Sequence, residues 1–167
     1  MQLSAQVRYE AGLDRVVALL ADEAYVTAKV RATGALSEQV TVVGTPEDDF
    51  TVTTRRQMPT DAIPSQFRSF IGSTLEVRQV EAWEPPDPAA PGTRRGTLVV
   101  EITGAPVRLT GTMSLTEEGG ATVQRYDGDL RASIPLFGAA VEKATAEAVH
   151  AAIDAEQRTA TEWLAQG

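Results

Sequence analysis

Apolar and polar residues alternate from the start of the chain. Leu3, Ala5, Val7 and Tyr9 interleave with Gln2, Ser4, Gln6, Arg8 and Glu10, which predicts a half-buried strand over residues 2–11. The period then lengthens. Leu13, Val16, Val17 and Leu20 fall at i, i+3, i+4 and i+7, the spacing of an amphipathic helix, with Asp14 in the first turn to complement the helix dipole. Asp22 either ends this helix or caps a second short one reaching Val30, and Gly34 stops it. From there to Ser133 the short period returns. Runs rich in Thr, Val and aromatic residues predict strands over 35–44, 48–58, 73–84, 95–104, 107–117 and 121–132. Gly44-Thr45-Pro46, Gly104-Ala105-Pro106 and Glu118-Gly119-Gly120 supply turn chemistry at hairpin spacing. Ser65 to Ile71 interrupts the series as one or two helical turns, and Pro85 to Gly92 is a stiff, polar loop.

The last 32 residues, from Pro135 on, read as one helix from Leu136 to Ala165, with Pro135 in its first turn. At 1.5 Å per residue it is roughly 45 Å long. Phe137, Val141, Thr145, Ala148, Ala152, Ala160 and Trp163 share one side, and most of that side is small. Such a helix either lies close to a sheet or leaves space beneath it. The order of elements is therefore strand, two short helices, six strands, long helix. Consecutive hairpins make the six strands an antiparallel meander, and the first strand joins an edge. The expected architecture is α+β: a strongly bent seven-stranded antiparallel sheet wrapped around the C-terminal helix, with an apolar hollow between them.

Composition narrows the function. A length of 167 residues and 43% hydrophobic content fit a single domain over 1–167 with a proper core. The net charge of −8 argues against a nucleic-acid partner and against electrostatic attachment to anionic membranes. With no cysteine there is no disulfide, thiol nucleophile or thiolate metal site, and the chain suits a reducing cytoplasm. The N-terminus lacks an apolar signal region, and the longest apolar run, Val16 to Ala21, is too short to insert into a membrane. The single histidine, His150, falls on the solvent side of the last helix, so no Ser-His-Asp or Cys-His set is expected. No phosphate-binding or dinucleotide-binding glycine motif is present, and neither a cofactor nor a metal is expected. Asp48-Asp49 and Glu117-Glu118 read as solvated turn residues. Arg125, Asp127, Asp129 and Arg131 read as a charged outer face with cross-strand ion pairs.

Polar residues in register with the apolar faces carry more information. Glu38 shares a face with Leu36, Val40 and Val42; Arg56 with Phe50, Val52 and Met58. Gln79 and Glu81 go with Leu75, Val77 and Trp83; Gln124 and Tyr126 with Leu130. Either these faces point inward, making Glu38, Arg56, Glu81 and Tyr126 polar contacts in an apolar hollow, or the polar positions lie near strand ends and reach water. If buried, Arg56 pairs with Glu38 or Glu81. Leu98, Val100, Ile102, Val107, Leu109, Met113 and Leu115 form core or cavity wall. The candidate ligand-binding set is Phe50, Val52, Arg56, Met58, Val77, Glu81, Trp83, Leu109, Met113, Tyr126, Val141, Thr145, Ala148 and Ala152, with no catalytic residue assigned. The expected function is binding or carriage of a hydrophobic or amphipathic small molecule. The alternatives are an enzyme using Glu81, Arg56 or Tyr126 as acid–base groups, and an interaction module with a filled core. The sequence leaves the oligomeric state open.

This element order resembles the helix-grip superfamily, which includes START lipid-transfer domains, Bet v 1 allergens and polyketide cyclases. More closely, the chain resembles DUF2505, a family of actinobacterial proteins. The matching residues are Tyr9-Glu10-Ala11 leading to Val16 and Leu20, Asp22-Glu23-Ala24-Tyr25, Met58-Pro59, Ile63-Pro64 with Phe67, and Thr74 to Trp83. The resemblance implies a cavity for a lipid-like or polyketide-like molecule. It transfers no catalytic residue.

Overall fold

The structure, a computed structural model, describes residues 1–61 and 63–167, with residue 70 by its backbone alone. The chain runs β1 (Gln2–Tyr9), α1 (Leu13–Leu20), α2 (Glu23–Ala32), β2 (Ser37–Gly44), β3 (Phe50–Pro59), α3 (Ser65–Ile71), β4 (Thr74–Trp83), β5 (Thr93–Ile102), β6 (Val107–Glu118), β7 (Ala121–Ala132) and α4 (Gly138–Ala165). The strands form a seven-stranded sheet in the order β1-β7-β6-β5-β4-β3-β2, every pairing antiparallel. The six-strand meander and the edge position of the first strand are as the periodicity predicts.

Local chemistry explains the boundaries. Asp22 accepts a hydrogen bond from Ala24 N at 2.9 Å, so it caps α2 and does not simply end α1. The N-terminus of α1 has no side-chain cap of its own. Glu117, on β6, supplies one from across the fold: its carboxylate accepts from Leu13 N at 2.7 Å. Glu117 is thus a helix cap as well as a hairpin-end residue. The last helix starts later than expected. Leu136 lies in the left-handed region at φ 68 and is 98% exposed, and Phe137 is the N-cap. Pro135 therefore precedes the helix and is not in its first turn.

The inner face of the sheet can be followed in rows set by the strand register. At one end lies the row Phe50, Trp83, Gly96, Met113 and Tyr126. Next come Val52, Glu81, Leu98, Gly111 and Gly128, then Thr54, Gln79, Val100, Leu109 and Leu130. Arg56 with Val77 and Ile102, and Met58 with Leu75, complete the other end. Gly111 and Gly128 face each other in an unbroken register, so they mark a close backbone approach and not a bulge. A Cβ on Gly111 would come within 2.3 Å of the Asp127 carbonyl oxygen.

The first of these rows, apart from Tyr126, lies at the solid end of the molecule. Phe50 stacks on Trp83 at 6.3 Å between ring centroids, and the Arg94 guanidinium sits over Phe50 at 5.7 Å. Arg94 donates to the carbonyls of Glu84, Pro46 and Asp48, tying two loops to this end. The buried faces of α1 and α2 belong to the same core, and Tyr25 meets Trp163 of α4 edge-on at 5.8 Å. Toward the other rows α4 presents Val141, Thr145, Ala148 and Ala152, and the space between helix and sheet stays open.

Candidate functional site

That open space is a cavity of about 1210 Å³ between α4 and the sheet. The helix side chains over it are short: a row of Ala and Thr cannot fill space that Leu or Phe would occupy. Its far rim is built by α3 and by the segment before α4, where Phe67 meets Phe137 edge-on at 5.6 Å between centroids.

Of the residues that the sequence singles out, Arg56, Met58, Val77, Leu109 and Tyr126 line the cavity from the sheet. Val141, Thr145, Ala148 and Ala152 line it from α4. Phe50, Val52, Trp83 and Met113 do not line it; they are buried in the core at its closed end. Their face is inward, as the alternation predicts, but they are packed into the core together with the buried faces of α1 and α2. Glu81 is also absent from the wall and is 3% exposed.

A buried polar cluster sits where solid core gives way to cavity. Glu156 on α4 is its centre. Lys29 Nζ on α2 approaches Glu156 Oε1 at 3.2 Å and Glu81 Oε1 at 3.6 Å. The Tyr126 hydroxyl is 3.3 Å from Glu156 Oε1. The Tyr9 hydroxyl reaches Gln124 Oε1 at 2.8 Å and Glu156 Oε1 at 3.1 Å, with one proton to donate between them. Gln79 donates to Glu81 Oε1 at 2.6 Å. Lys29, Thr54, Arg56, Gln79, Tyr126 and Glu156 present this cluster to the cavity.

The expected pairing of Arg56 with Glu38 or Glu81 is not made. Glu38 is bound by Arg31 at 2.6 Å at the outer edge, and Lys29 takes Glu81. Arg56 is left with Gln79 Oε1 at 3.5 Å. Lys29 and Glu156 escape a search for charges on strands because they lie on helices. Both are nonetheless marked. Glu156 stands midway between Ala152 and Ala160, and Lys29 follows Tyr25 by four, each on the inward face of its helix.

The electrostatics follow from this packing. Burial pulls the Lys29 ammonium down, but Glu156, then Glu81, outweigh it and hold its pKa above the ordinary value. Burial first, and Glu156 second, push Tyr9, Tyr25 and Tyr126 upward. Burial lowers the Arg56 guanidinium, opposed by Glu81 and Glu156. The cluster thus consists of a charged lysine and neutral tyrosines around carboxylates. It is a fixed polar wall, with Tyr126 moved away from acid–base work near neutral pH. His150 is exposed. Among the described residues no group of three or more His, Cys, Asp or Glu could hold a metal, and no helix is long and apolar enough to cross a membrane. On the outer face Arg131 pairs with Asp129, Arg125 with Glu118, and Ser4 donates to Asp127, so the acidic pair there is spoken for.

The same architecture occurs in solved structures of low sequence identity. TTHA0849 from Thermus thermophilus superposes with a TM-score of 0.62 at 17% identity, covering 97% of this chain and 98% of its own. A START superfamily protein from Mycobacterium smegmatis gives 0.57 at 14%, covering 97% and 98%. A STAR-related lipid transfer protein from Xanthomonas axonopodis gives 0.58 at 15%, covering 96% and 85%. These likenesses show the fold, a START/Bet v 1-like helix grip. No curated protein matches the sequence. The profile of the family described as "Protein of unknown function (DUF2505)" matches residues 4–164, nearly the whole chain, and the protein therefore belongs to the DUF2505 family.

Proposed function

We propose that this chain binds and carries a hydrophobic or amphipathic small molecule, lipid-like or polyketide-like, as one domain over residues 1–167, in the cytoplasm. The observation that carries the reading is the cavity: about 1210 Å³, lined mostly by apolar residues, with Lys29, Arg56, Tyr126 and Glu156 among its polar groups. Its walls would contact the ligand through Met58, Val77, Leu109, Val141, Thr145, Ala148 and Ala152, with Arg56 and Tyr126 at the polar end. The fold shared with a STAR-related lipid transfer protein supports the same reading. Binding is favoured over catalysis because Lys29, Glu156 and the tyrosines are committed to one another. The cysteine-free sequence supports the cytoplasmic assignment.

The test is uptake of Nile red, an apolar fluorescent probe. The parent chain should take it up at one site, and Ala152→Trp, which adds an indole to the cavity wall, should take up far less. A parent chain that leaves Nile red unbound would overturn the reading.

A further inference from the structure

Arg56, at the polar end of the cavity, makes no ion pair among the described residues. Lys29 lies between Glu81 and Glu156 and occupies both carboxylates. Arg56 is left with a single 3.5 Å contact to Gln79 Oε1, and its buried Nε–H finds no acceptor among the described residues. Two positions along the same strand face, the Thr54 hydroxyl is also buried without a partner among the described residues, and Thr54 is 3% exposed. Both side chains line the cavity. Gln79 cannot serve Arg56 better, because its amide nitrogen is held by Glu81 at 2.6 Å. A guanidinium carries five N–H donors, and a buried donor left unmade is costly. Both donors stand on one strand face two residues apart, and an acceptor within the cavity would satisfy them.

Charge decides which acceptor fits. Lys29 and Arg56 against Glu81 and Glu156 sum to zero, and the whole chain carries −8. A carboxylate seated at Arg56 would add an uncompensated negative charge to this partly buried group of four charges. A carbonyl oxygen accepts from the same donors and changes no charge. Around the seat the wall is apolar, with Val77 opposite Arg56 and Val100 beside Gln79.

We propose that Arg56 and Thr54 form a subsite for the uncharged carbonyl oxygen of an ester, ketone or lactone on an otherwise apolar ligand. This rests on the ligand-binding reading above and names the chemical class that the site takes. The test compares hexadecane, methyl palmitate and palmitic acid as displacers of Nile red at about pH 8, where a free carboxyl is ionised. Methyl palmitate should bind about tenfold tighter than hexadecane, the scale of one hydrogen bond from a charged donor. It should also bind tighter than palmitic acid. Arg56→Lys keeps the charge and removes the fork, and it should erase most of the ester's advantage while leaving hexadecane unchanged. Thr54→Val, nearly isosteric, should reduce that advantage and carries the test if the Arg56 variant does not fold. Equal binding of ester and hexadecane, tighter binding of palmitic acid, or variants that weaken hexadecane as much as the ester would overturn the subsite and leave the ligand-binding reading standing. Nile red bound by the parent chain but displaced by none of the three would overturn the subsite alone. Failure to bind Nile red at all would overturn both.

Discussion

Glu156 holds the polar end of the cavity together. Its carboxylate faces Lys29, Tyr9 and Tyr126, all buried, and removing it would leave Lys29 with Glu81 alone at 3.6 Å. Breaking a buried pair from one side costs about 3–5 kcal/mol. Glu156→Ala should therefore lower the melting temperature by at least about 6 °C for a chain of this length, measured by circular dichroism. A fall under about 2 °C would mean that the carboxylate is solvated and the cluster is not a unit. The same cluster sets the response to pH. Tyr9, Tyr25 and Tyr126 are raised from an ordinary value of 10.0, and Lys29 from 10.5. A raised folded-state pKa means that the native state holds its proton longer than the unfolded chain. The stability this contributes is complete below the unfolded pKa and lost as pH rises through the folded one. Melting temperature from these groups should thus stay level through neutral pH and drop above about pH 10. Conversion of Tyr9 and Tyr126 to Phe should flatten the drop, and a drop beginning near pH 8 would contradict the assignment. Of this cluster the strand alternation shows Tyr9, Gln79, Glu81, Gln124 and Tyr126. It does not show Lys29 and Glu156, which lie on helices and are marked instead by their spacing from Tyr25 and from Ala152 and Ala160.

α4 shows how an element can be legible in extent and still conceal its purpose. Its alanines and its freedom from proline announce the helix, but Leu136 at positive φ moves the start to Gly138, a backbone feature no periodicity encodes. The inward spacing places Val141, Thr145, Ala148 and Ala152 on the cavity side. What the sequence leaves undetermined is whether strands opposite close the gap, because a core and a cavity wall demand the same apolar residues. In a close-packed interface Ala152→Trp would cost ~1–3 kcal/mol by overpacking. Over an open cavity, Ala148→Trp and Ala152→Trp should each retain the parent melting temperature. A loss beyond about 4 °C in both would mean that the helix rests directly on the sheet. The loop over 85–92 makes the opposite case. Its residues are mostly exposed, and its ties to the fold are at its ends, where Gly92 O accepts from Glu117 N and Glu84 O accepts from Arg94. Shortening it between those anchors should leave the melting temperature nearly unchanged, and a fall above about 8 °C would show that it braces the sheet.

In the molecule as a whole, the alternation of periods suffices for the topology: two, then 3.6, then two, then 3.6 yields the meander, its closing edge strand and the gripped helix. It does not reveal where along the strands the solid end stops. Phe50, Val52, Trp83 and Met113 share the inward face with Met58, Val77 and Leu109, and only the packing of the helices over the bent sheet decides that the former are core and the latter cavity wall. Charge pairing is likewise settled in three dimensions, where Lys29 displaces Arg56 as the partner of Glu81. The account therefore stands or falls on the space beneath the N-terminal half of α4 being a ligand site. Native mass spectrometry of the purified chain, before and after separate incubations with Nile red and with methyl palmitate, measures that directly. The account predicts one added molecule per chain, either retained from the host or acquired on incubation, and its loss in Ala152→Trp. The bare chain mass under every condition, with the parent fold intact, would contradict it.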